Sequence, residues 1–583
     1  MYIETINSPA DVKKLTVEQM TVLSAEIRTA LLNKISAHGG HFGPNFGMVE
    51  ATVALHYVFN SPIDKMVFDV SHQTYVHKIL TGRKEAFLNP ADYDDVSGYS
   101  EPSESKHDFF VIGHTSTSVS LASGLAKSRD LAGGHENVIA VIGDGSMSGG
   151  EAFEGFDFAA DLHSNFIIIV NDNQMSIAEN HGGIYANLKA LRESNGECPC
   201  NLFKAMGFDY RYVNEGNDVA NLIEAFQSVK DIDHPVVVHI NTVKGKGYKP
   251  AEQNKEEFHY MPPFNKDTGV PLDTTEREDF GDITARYLMK RMKVDPMVAA
   301  ISAGTPGILG FSPERRREAG HQFIDVGIAE EHAVALASGM AKAGGKPVFG
   351  VVSTFIQRAY DQLSQDLCIN NNPAVLTVFW GSLTAMNDVT HLCWFDIPLL
   401  SNIPNLVYLA PTTAEEYLAM LNWAVDYKDR PVAIRVPMNV VHTDKPVDND
   451  YSKLNRYKVE QAGEKVAVLA LGSFFGLGEN VIKRLKAERG FDATLVNPRY
   501  ISGSDDELLE ALKENHSLVV TLEDGVLDGG FGEKIARFYG ASSMKVLNFG
   551  GRKEFADRFN PQEFLRANHL TEEQITEDIL KLL

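Results

Sequence analysis

Short runs of Val, Ile and Leu recur along this chain, and each stops abruptly at small polar residues. VIAVIG ends at Asp144-Gly145, FIIIVN ends at Asp172-Asn173, and PVVVHINTV runs from 235 to 243. Unbroken apolar runs of this length predict strands buried on both faces, as in a parallel sheet. Helical periods separate the runs from about 19 to 241, so this stretch reads as βαβ units with helices on both faces. A second alternating block places strands in QFIDVGI, KPVFGVV, AVLTVFW, LVYLAP and PVAIRV, ending near 437. A third places them in KVAVLALGS, DATLVNP, SLVVTLED and MKVLNFGG, with helices such as ENVIKRLKAER between. MPPFNKDTGVPLDTTERE, from 261 to 278, has clustered prolines and no apolar period, and reads as a linker. The pattern predicts three doubly wound α/β domains: 1–262, then a linker at 263–278, 279–440, and 441–583.

Composition narrows the function. The chain has 583 residues, too many for one core, and its 44% hydrophobic and 23% charged residues describe a soluble globular protein. A formal net charge of -24 repels nucleic acid and anionic membrane, so any phosphate site must be a local pocket. No apolar run approaches a membrane span, and MYIETINSPADVKKL lacks a signal-peptide core. The expectation is a cytoplasmic protein. Cys198-Pro199-Cys200 resembles half a metal site without a second pair, and Cys368 and Cys393 stand alone, so all four read as reduced thiols.

Two polar clusters carry candidate chemistry. Asp144 and Asn173 close neighbouring apolar runs, and the C-terminal edge of an open α/β sheet is where ligands bind. A carboxylate and a carboxamide oxygen converging there suit Mg2+ shared with substrate phosphates. Ordinary strand-to-helix turns would use the same residue types. DVGIAEEHAV, 325–334, sets Glu330, Glu331 and His332 where a strand gives way to a helix. Glu331 reads as a first-turn acid favoured by the helix dipole, whereas Glu330 stays open between that role and chemistry. Histidines at 38, 41, 72, 77 and 114, several beside Gly or Ser, point to a proton-handling or anion-binding pocket.

Taken together, VALHYVFNSPIDKMVFDVSHQTYVHKILTGR, IGHTSTSVS, VIGDGSMSGGEAFE, NDNQMSIAEN, KGKGYKPAE, IAEEHAV and STFIQRAYDQL resemble the 1-deoxy-D-xylulose-5-phosphate synthase family, thiamine-diphosphate enzymes of the transketolase superfamily. The likeness runs nearly end to end, although the segment between NLKALRES and NLFKAMGFDY is short for that family. The resemblance implies diphosphate-binding, pyrimidine-binding and C-terminal domains, with thiamine diphosphate and Mg2+ as cofactors. It implies Asp144, Asn173 and the Met175 carbonyl as Mg2+ ligands. His72, His114, Gly145, Ser146, Asn173, Met175 and Phe355 would contact the cofactor, and Glu330 its aminopyrimidine. His41, His259 and His391 would handle protons or anchor a carboxylate, while Arg358 and Arg435 would bind substrate. The implied substrates are pyruvate and glyceraldehyde 3-phosphate, in a homodimer that feeds isoprenoid precursor and thiamine biosynthesis.

The acceptor side departs from the family pattern. Trp380 stands where a phosphate-gripping arginine is usual, Asn387 where an aspartate contacts substrate, Val352 at a usual tyrosine and Pro44 at a common serine. The alternatives left open are another aldehyde acceptor, a ketose donor, or a non-catalytic paralogue. Retention of Asp144, Asn173 and Glu330 speaks against the last.

Overall fold

The computed structural model describes all 583 residues. They form two compact units: Met1–Glu276 with Gly327–Ala329, and Arg277–Val326 with Glu330–Leu583.

The first unit holds strands β1 (Gly40–His41), β2 (Lys65–Phe68), β3 (Val138–Gly143), β4 (Phe166–Asp172), β5 (Asp209–Val213), β6 (Pro235–Asn241) and β7 (Tyr260–Met261). Five of these make one parallel sheet in the order β2-β3-β4-β6-β5. The apolar runs are continuous because both faces are covered. Ile139, Val141, Ile167 and Ile169 enter one core, while Val138, Ala140, Ile142, Ile168 and Val170 enter the other. The 22-residue helix Val17–His38 packs on the first of these faces. It starts where Thr16 Oγ1 accepts the Gln19 N–H and Gln19 Oε1 accepts the Thr16 N–H, a capping box that satisfies two orphan donors. β1 and β7 form a short antiparallel ribbon in which His41 pairs with Tyr260. The stretch expected as a linker begins as part of this unit. Phe264 is buried in its core and its N–H donates to the Ser36 carbonyl at 2.8 Å, because an aromatic ring beside two prolines has apolar surface to cover.

The second unit contains two sheets. β8 (Val298–Ser302), β9 (Phe323–Asp325), β10 (Lys346–Val352), β11 (Val375–Phe379), β12 (Val407–Leu409) and β13 (Val432–Val436) run parallel in the order β12-β13-β11-β10-β8-β9. β14 (Lys458–Gln461), β15 (Lys465–Ala470), β16 (Thr494–Asn497), β17 (His516–Val526) and β18 (Lys545–Gly551) follow in the order β14-β16-β15-β17-β18, with only β14 antiparallel. A single apolar core joins Val375 and Tyr408 of the first sheet to Val519 and to Phe531 and Ile535 of the second layer's helix Phe531–Tyr539. No helix in the chain is long and apolar enough to cross a membrane.

Candidate active site

In the first unit β3 and β4 lie side by side, with Gly143 paired to Asn171, and the Asp144 N–H donates to the Asn171 carbonyl at 3.0 Å. Register alone therefore sets Asp144 beside the Asn171-Asp172-Asn173 turn. Asp144 is buried, and its Oδ2 accepts the Asn180 amide at 2.8 Å. Burial, and then the neighbouring Asp172 charge, push its carboxyl well above the usual carboxylate range. Asn173 is also buried, and its Oδ1 accepts the Met175 N–H at 3.2 Å.

This donor set fits a hard cation. Two buried carboxylates repel one another here, and the available donors are carboxylate, carboxamide and carbonyl oxygens, which Mg2+ prefers. No group of three or more His, Cys, Asp and Glu is arranged to hold a metal, so a zinc-type site is not present. A Cβ on Gly145 would lie 2.7 Å from Ser176 Cβ, so only glycine allows that close backbone approach. Ser146, one residue on, has its carbonyl held by Ser116 Oγ at 2.8 Å. Asp69 accepts the Ser116 and Ser118 N–H groups at 2.8 and 2.9 Å, which fixes the loop carrying His114.

Three histidines predicted for the pocket do gather. The rings of His41 and His72 are 4.9 Å apart, those of His72 and His259 5.3 Å, and those of His41 and His259 5.7 Å. The β1–β7 ribbon brings His41 and His259 together. Asn45 then donates to the His41 and His72 carbonyls, both at 2.8 Å. His259 is held well below the ordinary histidine range by burial, with Lys244, His72 and His41 adding to the effect, so its ring is neutral. Its Nδ1 has no hydrogen-bond partner. Lys244, from KGKGYKPAE, donates its ammonium to the Ser176 carbonyl at 2.6 Å, and burial lowers its pKa to about 7. His38 and His77 lie elsewhere, His38 on Asp94 and His77 in a buried trio between His56 and Asp108.

In the second unit Glu330 is the first residue of the helix Glu330–Lys342 and is buried, whereas His332 is exposed. Glu330 Oε2 has no hydrogen-bond partner, and the Arg358 guanidinium stands 3.6 Å away. Burial raises the Glu330 carboxyl, with Arg358 opposing. Phe355 meets His391 edge to face at 5.6 Å. His391 Nδ1 lies 2.7 Å from Thr390 Oγ1, and burial drops its pKa to about 4, so this ring is neutral as well.

The acceptor-side candidates sit in the same unit. Trp380 follows β11 with a φ of 63°, a left-handed conformation that costs a bulky residue about 1–2 kcal/mol. Gly381 comes next, and a Cβ there would lie 2.6 Å from Arg435 Nε. Arg435, expected as a phosphate contact, is itself buried with its guanidinium committed. Nε donates to Asp396 Oδ2 at 2.7 Å, and Nη2 to Asp396 Oδ1 at 3.1 Å and the Asp524 carbonyl at 2.7 Å. Tyr408 adds a hydroxyl bond to the same Asp396. Asn387 reaches the following layer, donating to the Phe559 carbonyl at 3.2 Å and accepting the Arg558 N–H at 2.6 Å. Val352 and Pro44 are buried.

Three family models match consecutive parts of the chain. The one described as 1-deoxy-D-xylulose-5-phosphate synthase covers residues 3–198 and 193–242. The transketolase pyrimidine-binding domain covers 279–442, and the transketolase C-terminal domain 455–575. A curated 1-deoxy-D-xylulose-5-phosphate synthase from Geobacter sulfurreducens is 37% identical over 612 residues, spanning 97% of this chain and 95% of its own. The chain belongs to the 1-deoxy-D-xylulose-5-phosphate synthase family. Relatives of the same name from Clostridium tetani, 36% identical over 98% of each chain, and Lachnoclostridium phytofermentans, 38% identical over 92% of this chain and 91% of its own, agree. A solved transketolase from Pichia stipitis aligns over 97% of each chain at 17% identity with a TM-score of 0.45. The family is one of transketolase-type transferases. Its cofactor is thiamine diphosphate, and this chain carries the α/β architecture that the family resemblance implied.

Sequence reading passed over several residues that the site uses. Asn180 and Lys244 lie inside motifs already singled out, NDNQMSIAEN and KGKGYKPAE, so the signal was present. Asn45 and Asp69 act through backbone groups and leave no compositional trace. Asp396, the partner that occupies Arg435, is 39 positions away in sequence, and only the β13 fold-back brings the two together.

Proposed function

We propose that this chain is a thiamine-diphosphate- and Mg2+-dependent synthase that joins pyruvate, with loss of CO2, to glyceraldehyde 3-phosphate, working as a homodimer. The observation that carries the proposal is the buried Asp144–Asn173 turn, a set of oxygen donors around a buried carboxyl, in a chain of this family. Asp144, the Asn173 carboxamide and the Met175 carbonyl would hold the cation, and through it the diphosphate, beside Gly145, Ser146, His72 and His114. When bound, thiamine diphosphate supplies the carbanion that adds to the ketoacid and the electron sink for decarboxylation. Glu330, its carboxyl raised by burial, would offer a proton to the aminopyrimidine, and Phe355 would stack on that ring. His41 and the neutral His259 and His391 rings would hold or move protons and orient the pyruvate carboxylate.

One observation favours a second reading, an aldehyde other than glyceraldehyde 3-phosphate. Arg435 already has a bidentate carboxylate partner, and Trp380 replaces the other expected arginine. Losing one charge-assisted phosphate contact should weaken acceptor binding about tenfold or more.

CO2 release from labelled pyruvate, with protein, thiamine diphosphate and Mg2+, separates these readings. Release that quickens on adding glyceraldehyde 3-phosphate supports the synthase. Response only to another aldehyde supports the shifted acceptor, and silence in every mixture removes the pyruvate-donor reading. Trp380→Arg is expected to lower the Michaelis constant for glyceraldehyde 3-phosphate about tenfold with kcat little changed. An unchanged constant would show that the indole is not what limits acceptor binding.

A further inference from the structure

Behind the Asn171–Asn173 turn runs a buried line of polar groups that the chemistry above does not use. Tyr210 lies on β5, His239 on the neighbouring β6, and Asp172 at the end of β4, where His239 is in register with Val170. The Tyr210 hydroxyl is 2.8 Å from His239 Nδ1, and His239 Nε2 is 3.0 Å from Asp172 Oδ2. The His239 and Asp172 side chains are both wholly inaccessible to solvent. Arg192, at the end of the helix Gly183–Glu193, pairs with the same Asp172 oxygen. A buried carboxylate without such partners would be costly, so this set holds Asp172 charged and in place.

The other Asp172 oxygen faces the turn. Oδ1 accepts the Gln174 N–H at 3.2 Å, and Gln174 is a non-glycine residue held in the left-handed region with a φ of 69°. The next N–H, from Met175, closes on Asn173 Oδ1. One carboxylate is thus anchored through one oxygen by the sheet and a helix, and through the other it fixes a strained turn. That turn carries two of the three proposed cation donors.

Arg192 is held in its turn by the connection that is short for the family. Ser194 Oγ accepts the Cys198 N–H at 2.8 Å, while Asn187 donates to the Cys200 carbonyl at 2.7 Å and accepts the Leu202 N–H at 3.1 Å. The Cys198-Pro199-Cys200 segment is lashed back onto the helix that presents Arg192.

We propose that Asp172, fixed by His239, Tyr210 and Arg192, is a positioning residue for the divalent cation, holding the Asn173–Met175 turn so that its amide and carbonyl oxygens face the same ion as Asp144. This rests on the Mg2+-diphosphate reading above. Outer partners of metal ligands typically change affinity about 10- to 100-fold when removed.

The test is calorimetric uptake of thiamine diphosphate by the full-length protein at stepped Mg2+ concentrations, paired with the melting temperature of the cofactor-free protein. Arg192→Met is expected to raise the Mg2+ concentration for half-saturation about tenfold. Thiamine diphosphate affinity at saturating Mg2+ should stay the same, and Arg192→Lys should recover most of the loss. Tyr210→Phe removes a single hydroxyl two links from Asp172 and, as the gentler variant, should shift the same midpoint about twofold to threefold even if Arg192→Met does not fold. A lowered melting temperature with an unmoved Mg2+ midpoint in both variants would make the line purely structural and overturn the proposal. Wild-type protein that takes up no thiamine diphosphate at any Mg2+ concentration would instead remove the reading on which it rests.

Discussion

Glu330→Ala is expected to lose about 100- to 10,000-fold in kcat, the range that a positioned proton donor or acceptor contributes. The reason lies in where the chain puts this carboxyl. It opens a helix, it is buried, Oε2 is unsatisfied, and burial raises its pKa. Burial outweighs the opposing Arg358 charge and the backbone bond at the helix start, and a raised carboxyl is what the proposed proton-sharing role requires. Glu330→Gln preserves the volume and separates proton transfer from packing. In the wild type, the proton-bearing form declines as pH rises through the raised Glu330 pKa, so kcat should fall on that alkaline limb. The glutamine variant cannot titrate, and its residual rate should lack the limb. Steady-state rates across pH, with thermal melts to confirm folding, read this out. Retention of more than a tenth of the rate by Glu330→Ala would mean that another carboxyl has the role.

Asp144→Asn should have opposite effects on binding and stability. Replacing the one carboxylate in the donor set is expected to raise the Mg2+ concentration needed for thiamine diphosphate uptake at least about 100-fold, beyond the effect of losing an outer partner. The cofactor-free protein should nevertheless melt higher. Asp144 is buried beside Asp172, and its folded-state pKa is raised, so its ionised form disfavours the fold at any pH above the unfolded carboxylate value of 3.8. The gain from the variant should therefore be absent near pH 3.8, where the unfolded wild type also binds the proton, and should grow as pH rises above it until the raised folded-state pKa is passed. Calorimetry for uptake and melts over pH give both answers. A variant that binds as tightly as wild type, or melts lower at neutral pH, would contradict the site as described.

Much of this was legible in the sequence because parallel strands covered on both faces leave nothing polar to interrupt them. Every apolar run singled out is a strand, from Val138–Gly143 to Lys545–Gly551. The strands passed over are those with a different pattern. Asp209–Val213 and Lys458–Gln461 are edge strands with polar faces, Val298–Ser302 is rich in alanine and short, Lys65–Phe68 is a four-residue edge strand, and Gly40–His41 and Tyr260–Met261 are two residues each. Asp144, Asn173, His41 and His72 were visible because strand-end position or neighbouring glycine and serine mark them, whereas His259 was implied only by the family resemblance. The occupation of Arg435 was not, since a guanidinium in AIRVP looks the same whether it faces a substrate or Asp396. Nor was the Asp172 line, because Tyr210 and His239 occupy positions that ordinary apolar strand residues would also fill.

The second unit's two sheets share more than a contact surface. The Asp524 carboxylate accepts the Leu383 N–H at 2.8 Å and the Ser473 hydroxyl at 2.7 Å, while its carbonyl accepts Arg435. Arg435 and Asp396 are thus locked at the junction of both layers, and one apolar core runs through it. Sliding or hinging there would strand a buried charge, so this half of the molecule has no shear plane and should respond to heat and to force as a single cooperative block.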